Sequence, residues 1–255
     1  MAPSAVATFG KIPRALTKRE ITTIQKQFAK AALRVKTAGF DLVELHGGTG
    51  YLLAQFVSPR TNKRSDFYGG PIENRIKFPI EVLKRVKDTV GDFPVGYRFL
   101  VDEWLPDGLK GSESIILAKG LEQEGIAYIS AMAGTYESFF LPEIVKKAKR
   151  AGYMVSLAGA VKKNVGIPVI AAGRISTPLK AESILNEKKA DLIGLARMLW
   201  VDPNWPKKAI IGDDRSIIKC SPKCNACFQL VMKGKPAFCP KWSKERRTIY
   251  QGLFQ

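Results

Sequence analysis

Long hydrophobic runs are missing from this 255-residue sequence, so we expect no membrane-spanning helix. The longest apolar stretches fall well short of the roughly 18 residues that a membrane-spanning helix needs. The N-terminal segment MAPSAVATFGKIPRALTKRE has no basic region ahead of a long apolar one, so we expect no secretory signal. Both absences predict a cytoplasmic protein that has no membrane partner.

Glycine-rich phosphate-binding motifs are missing as well. The segment GGTGYLL at 47–53 does not fit the G-x-G-x-x-G pattern of a dinucleotide-binding turn. The sequence also contains no P-loop, the other common turn that holds a nucleotide phosphate. A Rossmann-type dinucleotide domain is therefore not supported.

Acidic residues are scarce relative to basic ones: 23 Asp and Glu stand against 41 Lys and Arg, which gives a formal net charge of +18. Such a charge favours anionic partners, including phosphorylated cofactors, CoA-type substrates and nucleic acids. However, the lysines are spread over most of the predicted helices, and no aromatic-interleaved basic strand or other nucleic-acid motif occurs. We interpret most of the charge as solvated surface and do not expect a nucleic-acid partner.

What the sequence does contain is an alternation of short apolar strands and amphipathic helices. Thr17 and Glu20 form a capping box that starts a helix running to Gly39. Further helices are predicted at 72–91, 112–124, 139–151 and 177–188, and strands at 40–46, 94–100, 127–132, 168–172 and 191–196. The pattern predicts an α/β fold with about five parallel βα units, either an open doubly wound sheet or part of a TIM (β/α)8 barrel.

Candidate functional residues lie near or just after the carboxyl ends of the predicted strands. They are His46, Arg98, Gly134, Gly173, Arg174 and Arg197. In both architectures, functional groups collect at the carboxyl ends of parallel strands. Three arginines on one rim form an anion-binding arrangement, and a glycine there lets backbone N–H groups approach a phosphate. His46, the only histidine, is by itself as consistent with a structural role as with a functional one.

The cysteines are few and confined to one short segment, CSPKCNACFQLVMKGKPAFC. The four residues follow the spacing C-x3-C-x2-C-x11-C and are Cys220, Cys224, Cys227 and Cys239. Their confinement to one segment predicts a shared ligand. A four-thiolate zinc site and a [4Fe–4S] cluster are both chemically allowed. Disulfides are not expected, because the sequence shows no secretory signal.

One longer stretch resembles a known family. The segment HGGTGYLLAQFVSPRTNKRSDFYGGPIENRIKF resembles the Old Yellow Enzyme family of FMN-dependent oxidoreductases (NADH:flavin oxidoreductases), and specifically its 2,4-dienoyl-CoA reductase-like branch. The resemblance continues through GYRFL, AGRI and GLARMLWVDP and covers essentially the whole chain. The matching residues of the first stretch are Glu44, His46, Asn62, Arg64, Asp66, Gly69, Gly70, Glu73, Asn74 and Arg75.

The resemblance implies a (β/α)8 barrel with FMN at its carboxyl face and assigns roles to several residues. Arg98 would lie near the pyrimidine side of the flavin. His46 would hydrogen-bond a substrate carbonyl, and Tyr51 would donate a proton to the carbon beside it. Thr49 stands where the family usually has a second His or Asn donor to the substrate. The phosphate-binding loops would contain Gly173, Arg174, Ala196 and Arg197.

The resemblance also implies an activity, namely reduction of an activated C=C bond of an enone or enoyl-CoA type by NAD(P)H. It favours iron–sulfur over zinc, because the branch carries a [4Fe–4S] cluster at C-x2-C-x3-C-x11-C, in which only the second cysteine is displaced by one residue. Such a cluster would pass single electrons to the flavin. We therefore predict two units, a partial FMN-binding barrel at 1–218 and a Cys-rich iron–sulfur tail at 219–255.

Family members carry a segment ahead of the APSA-like stretch at 2–5, and it supplies the first barrel strands. Five strands cannot close an eight-stranded barrel alone. We expect either a fragment of a longer protein or a chain whose missing strands come from a second polypeptide or another copy in a homo-oligomer. The alternative is an open half-barrel without catalytic activity, which would bind a phosphorylated ligand or nucleic acid through its basic rim.

Overall fold

A five-stranded parallel sheet forms the centre of the computed structural model, which describes residues 1–8 and 10–254. The strands lie side by side in chain order, each parallel to the next. They are β1 (Val43–Gly47), β2 (Val95–Leu100), β3 (Tyr128–Met132), β4 (Val169–Ala171) and β5 (Leu192–Ile193). A doubly wound sheet is wrong, because its strand order would reverse. The prediction of a partial barrel is confirmed: the sheet is unclosed.

Helices precede, connect and follow the strands. They are α1 (Lys18–Thr37), α2 (Leu52–Val57), α3 (Ile72–Arg75), α4 (Lys77–Val90), α5 (Gly111–Gln123), α6 (Pro142–Lys147), α7 (Val155–Lys162), α8 (Pro178–Asn186), α9 (Arg197–Val201), α10 (Trp205–Ile210), α11 (Ala226–Met232) and α12 (Lys244–Gly252). The predicted capping box is present at the start of α1. Within the described part of the chain, no helix is long and apolar enough to cross a membrane.

Two of the predicted helices differ from the structure. The single helix predicted at 72–91 is interrupted at Ile76, which separates α3 from α4. The helix predicted at 139–151 is present but shorter: a 3₁₀ turn at Ser138–Phe140 precedes α6, which ends at Lys147. Pro142 starts this new helix, because the first turn of a helix needs no N–H donor. The sequence pattern does not predict α7, since VSLAGAVK has almost no polar face.

Alternate residues of each strand face the two sides of the sheet. On one side, Leu45, Tyr97 and Ile129 are buried in a single core together with Phe78 and Leu83 of α4. The other side of β1 to β3 carries the exposed His46, the half-buried Arg98 and the buried Ser130. The helices therefore cover one face of the sheet, and the opposite face holds the candidate site.

The Tyr97 side chain places an unpaired polar atom in the core. Tyr97 is 1% exposed, and its phenol oxygen has no hydrogen-bond partner among the described residues. Burial also raises the pKa of this phenol, so it stays neutral. Since an unpaired buried hydroxyl costs about 1–3 kcal/mol, we expect Tyr97→Phe to raise the free energy of unfolding by about 1 kcal/mol, measured by urea denaturation.

The matched control for this substitution is Tyr68→Phe. The Tyr68 hydroxyl donates a hydrogen bond to Glu81 at 2.8 Å, so its removal should lower stability. A Tyr97→Phe protein that is less stable than the wild type would mean that the hydroxyl has a partner in solution, such as a buried water.

The segment 58–75, which carries most of the family motif, folds into a loop held by its own polar side chains. Asn62 donates from Nδ2 to the carbonyl oxygens of Phe56 at 2.6 Å and Tyr68 at 2.7 Å. Arg64 forms an ion pair with Asp66 at 2.7 Å. The motif residues Asn62, Arg64 and Asp66 therefore fix the backbone between α2 and α3.

Arg75 closes the same loop from inside the protein. Its side chain is only 4% exposed. Nε donates to the carbonyl of Gly70 at 2.9 Å, and the two terminal nitrogens donate to the carbonyl of Val57 and the carboxylate of Glu113. Because Glu113 belongs to α5, this arginine ties the loop to the next helix of the fold.

Candidate active site

Three side chains stand in register across β1, β2 and β3. His46 pairs with Arg98, and Arg98 pairs with Ser130. The Arg98 guanidinium donates from Nη1 to Ser130 Oγ at 2.6 Å. Because neighbouring strands lie about 4.8 Å apart, the guanidinium is anchored next to the imidazole. Two residues predicted from the sequence, His46 and Arg98, are therefore brought together.

The surroundings of His46 keep its ring uncharged. Partial burial and the positive charge of Arg98 lower the pKa of His46, and Glu44 only partly opposes them. Since the ordinary pKa of histidine is about 6.5, the imidazole is neutral at physiological pH. A neutral imidazole donates one hydrogen bond and accepts another, so His46 can donate to an oxygen atom without carrying a net charge.

The loop that follows β1 passes close to β3. A Cβ atom on Gly48 would lie 2.4 Å from Met132 Sδ, so a larger residue there would require the methionine side chain to move. Thr49 follows with a left-handed φ of 55°, and its Oγ1 lies 3.4 Å from the same sulfur. Its hydroxyl is therefore directed at Met132, and the predicted substrate-binding role of Thr49 stays a prediction.

Tyr51 stands at the start of α2 and contacts two aromatic side chains. Its ring centroid is 4.8 Å from that of His46. Its hydroxyl lies 2.7 Å from the hydroxyl of Tyr136, and the two phenol rings meet edge-on at 5.9 Å. The hydrogen bond to Tyr51, together with partial burial, raises the pKa of Tyr136.

Tyr136 contacts the predicted site residues in the structure, although no sequence pattern points to it. It lies in the loop GTYESFF after β3, in which the sequence indicates only Gly134 as a candidate site residue. The available signal was its position two residues after Gly134, at the carboxyl end of a strand. The side chains of His46, Tyr51 and Tyr136 form one continuous row on this rim of the sheet.

A second feature of the same rim is a cavity of about 330 Å³, which we call the anion cavity. Its lining includes the predicted phosphate-binding and flavin-binding residues Arg98, Gly173, Arg174, Ala196 and Arg197. Lys149 adds a fourth cation, and the lining contains no carboxylate. The three predicted arginines therefore share one cavity, whose charge suits an anionic group.

The turn after β4 is shaped for close approach of a ligand. Gly173 has a φ of 118°, and a Cβ atom there would lie 3.2 Å from both the Met154 nitrogen and the Tyr153 ring. Arg174 follows with a left-handed φ of 54°, and its Nε donates to the carbonyl of Ala148 at the end of α6. Together with the cations, this bare backbone fits a phosphate monoester, whose oxygens accept from N–H and guanidinium donors.

The four cysteines lie in the segment after α10, and one of them reaches the anion cavity. Cys220 is half-buried on the cavity wall. Burial raises the pKa of the Cys220 thiol, and the charges of Arg197 and Arg174 oppose this. Cys224 is exposed, whereas Cys227 and Cys239 are half-buried. Nowhere in residues 1–8 and 10–254 do three or more potential ligands converge, so the metal site stays a prediction.

Comparison with known proteins identifies the relatives of this chain. A sequence model of the NADH:flavin oxidoreductase / NADH oxidase family matches residues 2–214. The chain is 44% identical over 229 residues to an NADH oxidase of Thermoanaerobacter brockii, which covers 88% of the chain and 35% of that relative. It is 40% identical over 242 residues to a metal reductase of Desulforamulus reducens, with 94% and 36% covered.

A solved structure of another protein is also similar to this chain. A complex of 2-naphthoyl-CoA reductase with 2-naphthoyl-CoA superimposes with a TM-score of 0.90 at 30% sequence identity. The match covers 100% of this chain and 39% of the reductase. The chain thus spans little more than a third of the length of each of these three proteins.

Proposed function

Because this chain belongs to the NADH:flavin oxidoreductase / NADH oxidase family, we propose that it forms the flavin-binding and substrate-binding part of an oxidoreductase. The enzyme would use NAD(P)H to reduce an activated C=C bond. One observation carries this proposal: Arg98 lies next to His46 in the sheet and also lines the anion cavity. A phosphorylated cofactor seated in the cavity would therefore extend toward His46 and Tyr51.

FMN is the cofactor that we propose for the anion cavity. Its phosphate would lie against Gly173, Arg174, Ala196 and Arg197, where backbone and guanidinium donors converge. Arg98 would face the pyrimidine side of the ring, where a positive charge favours the reduced anionic flavin. Bound there, the flavin supplies the hydride that it receives from NAD(P)H.

The residues of the row supply the hydrogen bonds and the proton. The neutral His46 ring donates to the substrate carbonyl oxygen, which draws electron density from the conjugated alkene. The Tyr51 hydroxyl gives its proton to the carbon beside that carbonyl. The Tyr136 hydroxyl, 2.7 Å away, then donates a hydrogen bond to the Tyr51 phenolate. The Thr49 hydroxyl would act as a weaker second donor after turning away from Met132.

A CoA thioester is the substrate class that we propose. The structure with a TM-score of 0.90 is a reductase bound to 2-naphthoyl-CoA, an acyl thioester of CoA. The net charge of +18 also suits a substrate that carries several phosphate groups. A thioester carbonyl conjugated to an alkene offers His46 and Tyr51 the oxygen and the carbon that their roles require.

A [4Fe–4S] cluster is the group that we propose for the four cysteines, and it would pass single electrons to the flavin. The donors fit chemically, because four thiols lie in one short segment and Cys220 reaches the wall of the anion cavity. The remaining barrel strands would come from a longer polypeptide, a second chain or another copy, and would pair with the open edges of β1 and β5.

The first test is an absorption spectrum of protein purified without oxygen, with FMN, iron and sulfide quantified. We expect a flavin band with an iron–sulfur shoulder, and oxidation of NADH or NADPH on addition of a 2-enoyl-CoA. Iron without flavin would show that the cysteine segment assembles while the open sheet cannot hold its cofactor. A colourless protein that binds RNA with a steep salt dependence would replace the enzyme by the non-catalytic alternative.

A further inference from the structure

The cysteine segment is attached to the barrel at few points. We define the thiol segment as residues 223–241, which contain three of the four cysteines. Before it, Arg174 donates from Nη2 to the carbonyl of Pro222 at 3.4 Å. After it, Trp242 donates from Nε1 to the carbonyl of Trp200 at 2.7 Å. Within the described residues, no hydrogen bond joins the thiol segment itself to residues 1–218. The backbone N–H of Cys220 also donates to Met198 Sδ at 3.4 Å, but the contacts of Pro222 and Trp242 lie directly beside the thiol segment, and we call these two its anchors.

The first anchor shares its side chain with the anion cavity. The Arg174 guanidinium lines the cavity, while its Nε donates to Ala148 at the end of α6. The Arg174 side chain therefore lines the cavity, bonds the barrel backbone and bonds the residue directly before the thiol segment. A left-handed φ of 54°, uncommon for a residue other than glycine, sets this direction.

Arg197 provides a natural contrast. It lines the same cavity and carries the same charge. Its guanidinium makes no hydrogen bond to any described residue of 219–254, whereas that of Arg174 does. A property that depends on cavity charge should thus respond equally to both arginines. A property that depends on anchoring should respond to Arg174 alone.

We propose that Arg174 is a positioning residue that couples the anion cavity to the thiol segment. A phosphate in the cavity would fix the guanidinium of Arg174. The conformational entropy of this long side chain is then lost on phosphate binding and is not lost again when the guanidinium bonds the carbonyl of Pro222. Phosphate binding therefore orders the thiol segment, and an ordered segment tightens phosphate binding by the same factor. The effect of phosphate in this inference rests on the proposed function, whereas the anchoring of the thiol segment by Arg174 does not.

The test measures alkylation of each cysteine by iodoacetamide in the reduced, metal-free, full-length chain, with mass spectrometry as the readout. In the wild type, inorganic phosphate should slow the alkylation of Cys227 and Cys239 about fivefold, the low end for coupled sites. Arg174→Lys, which keeps the charge, should speed these reactions about fivefold without phosphate and abolish the protection. Arg197→Lys should weaken phosphate binding but leave the phosphate-free rates unchanged.

A second variant removes the other anchor. Trp242→Phe loses the indole donor and should also speed alkylation, yet phosphate should still protect its thiols because Arg174 is present. Far-UV circular dichroism checks the fold of each variant. Equal phosphate-free rates in the Arg174→Lys and Arg197→Lys proteins would overturn the anchoring role. Phosphate that binds the wild type, as seen by calorimetry, without protecting its thiols would overturn the coupling.

If phosphate does not bind the wild type at all, the coupling and the proposed flavin site both fail. The two arginine variants still decide the anchoring role in that case, because their comparison needs no ligand.

Discussion

Replacing Tyr51 by phenylalanine should lower the rate of C=C reduction by about 10²–10⁴-fold, the usual contribution of a positioned general acid. The hydroxyl that donates the proton is lost, while the ring that packs 4.8 Å from His46 remains. Flavin content and the rate of flavin reduction by NAD(P)H should not change, because Tyr51 does not line the anion cavity. Stopped-flow measurement of both half-reactions in the flavin-loaded protein separates the two steps.

Tyr136→Phe is the matched comparison. It keeps the proton donor and removes only the hydroxyl that hydrogen-bonds Tyr51, so we expect a smaller loss of about tenfold. Its pH profile should also move, because the variant lacks the Tyr136 phenol, whose pKa is raised by the hydrogen bond to Tyr51. A Tyr51→Phe protein that retains flavin and reduces enoyl substrates at the full rate would exclude Tyr51 as the donor.

Replacing Arg75 by leucine should have the largest effect on stability, a loss of about 3–5 kcal/mol in the free energy of unfolding. The guanidinium is 4% exposed and donates to Val57, Gly70 and Glu113. Its removal leaves the buried carbonyl of Val57 and the carbonyl of Gly70 without this donor, and the Glu113 carboxylate without its cation. Urea denaturation followed by circular dichroism measures the change.

The control is Arg14→Leu, which removes an exposed ion pair with Glu20. Exposed pairs contribute little, because water and salt screen them, so the denaturation midpoint should hardly move. Equal losses in the two variants would show that the family loop is not held from inside as the structure indicates.

The positions of the strands could be predicted because buried parallel strands are short apolar runs. Four of the five predicted segments contain an observed strand, as in 94–100, which contains β2, and the segment 40–46 overlaps all of β1 except Gly47. Neighbour relations followed from chain order, so the joint placement of His46 and Arg98 could also be foreseen. The strand ends were less certain: β5 comprises only Leu192 and Ile193 within the predicted segment 191–196.

The rest depended on contacts between distant residues, which no local pattern reveals. Tyr136 meets Tyr51 across 85 residues of sequence, and a loop tyrosine carries no mark of that partner. The break at Ile76 leaves the apolar periodicity on both sides intact, so a single helix was the simplest prediction. The spacing of the cysteines shows that they are close in sequence, but it cannot predict where each side chain lies: Cys220 is on the wall of the anion cavity, whereas Cys224 is exposed.

The loop at 58–75 has a consequence for how such proteins diverge. Three of the residues that make the family recognisable, Asn62, Arg64 and Arg75, hold backbone carbonyls and carboxylates in place. They lie apart from the row of His46, Tyr51 and Tyr136, although His46 and Tyr51 also belong to the family motif. A lineage could therefore exchange the side chains at the tips of β1 and β3, and with them its reaction, without losing the residues that support the loop. The support of the loop and the proposed chemistry therefore depend on different residues, which can be substituted independently.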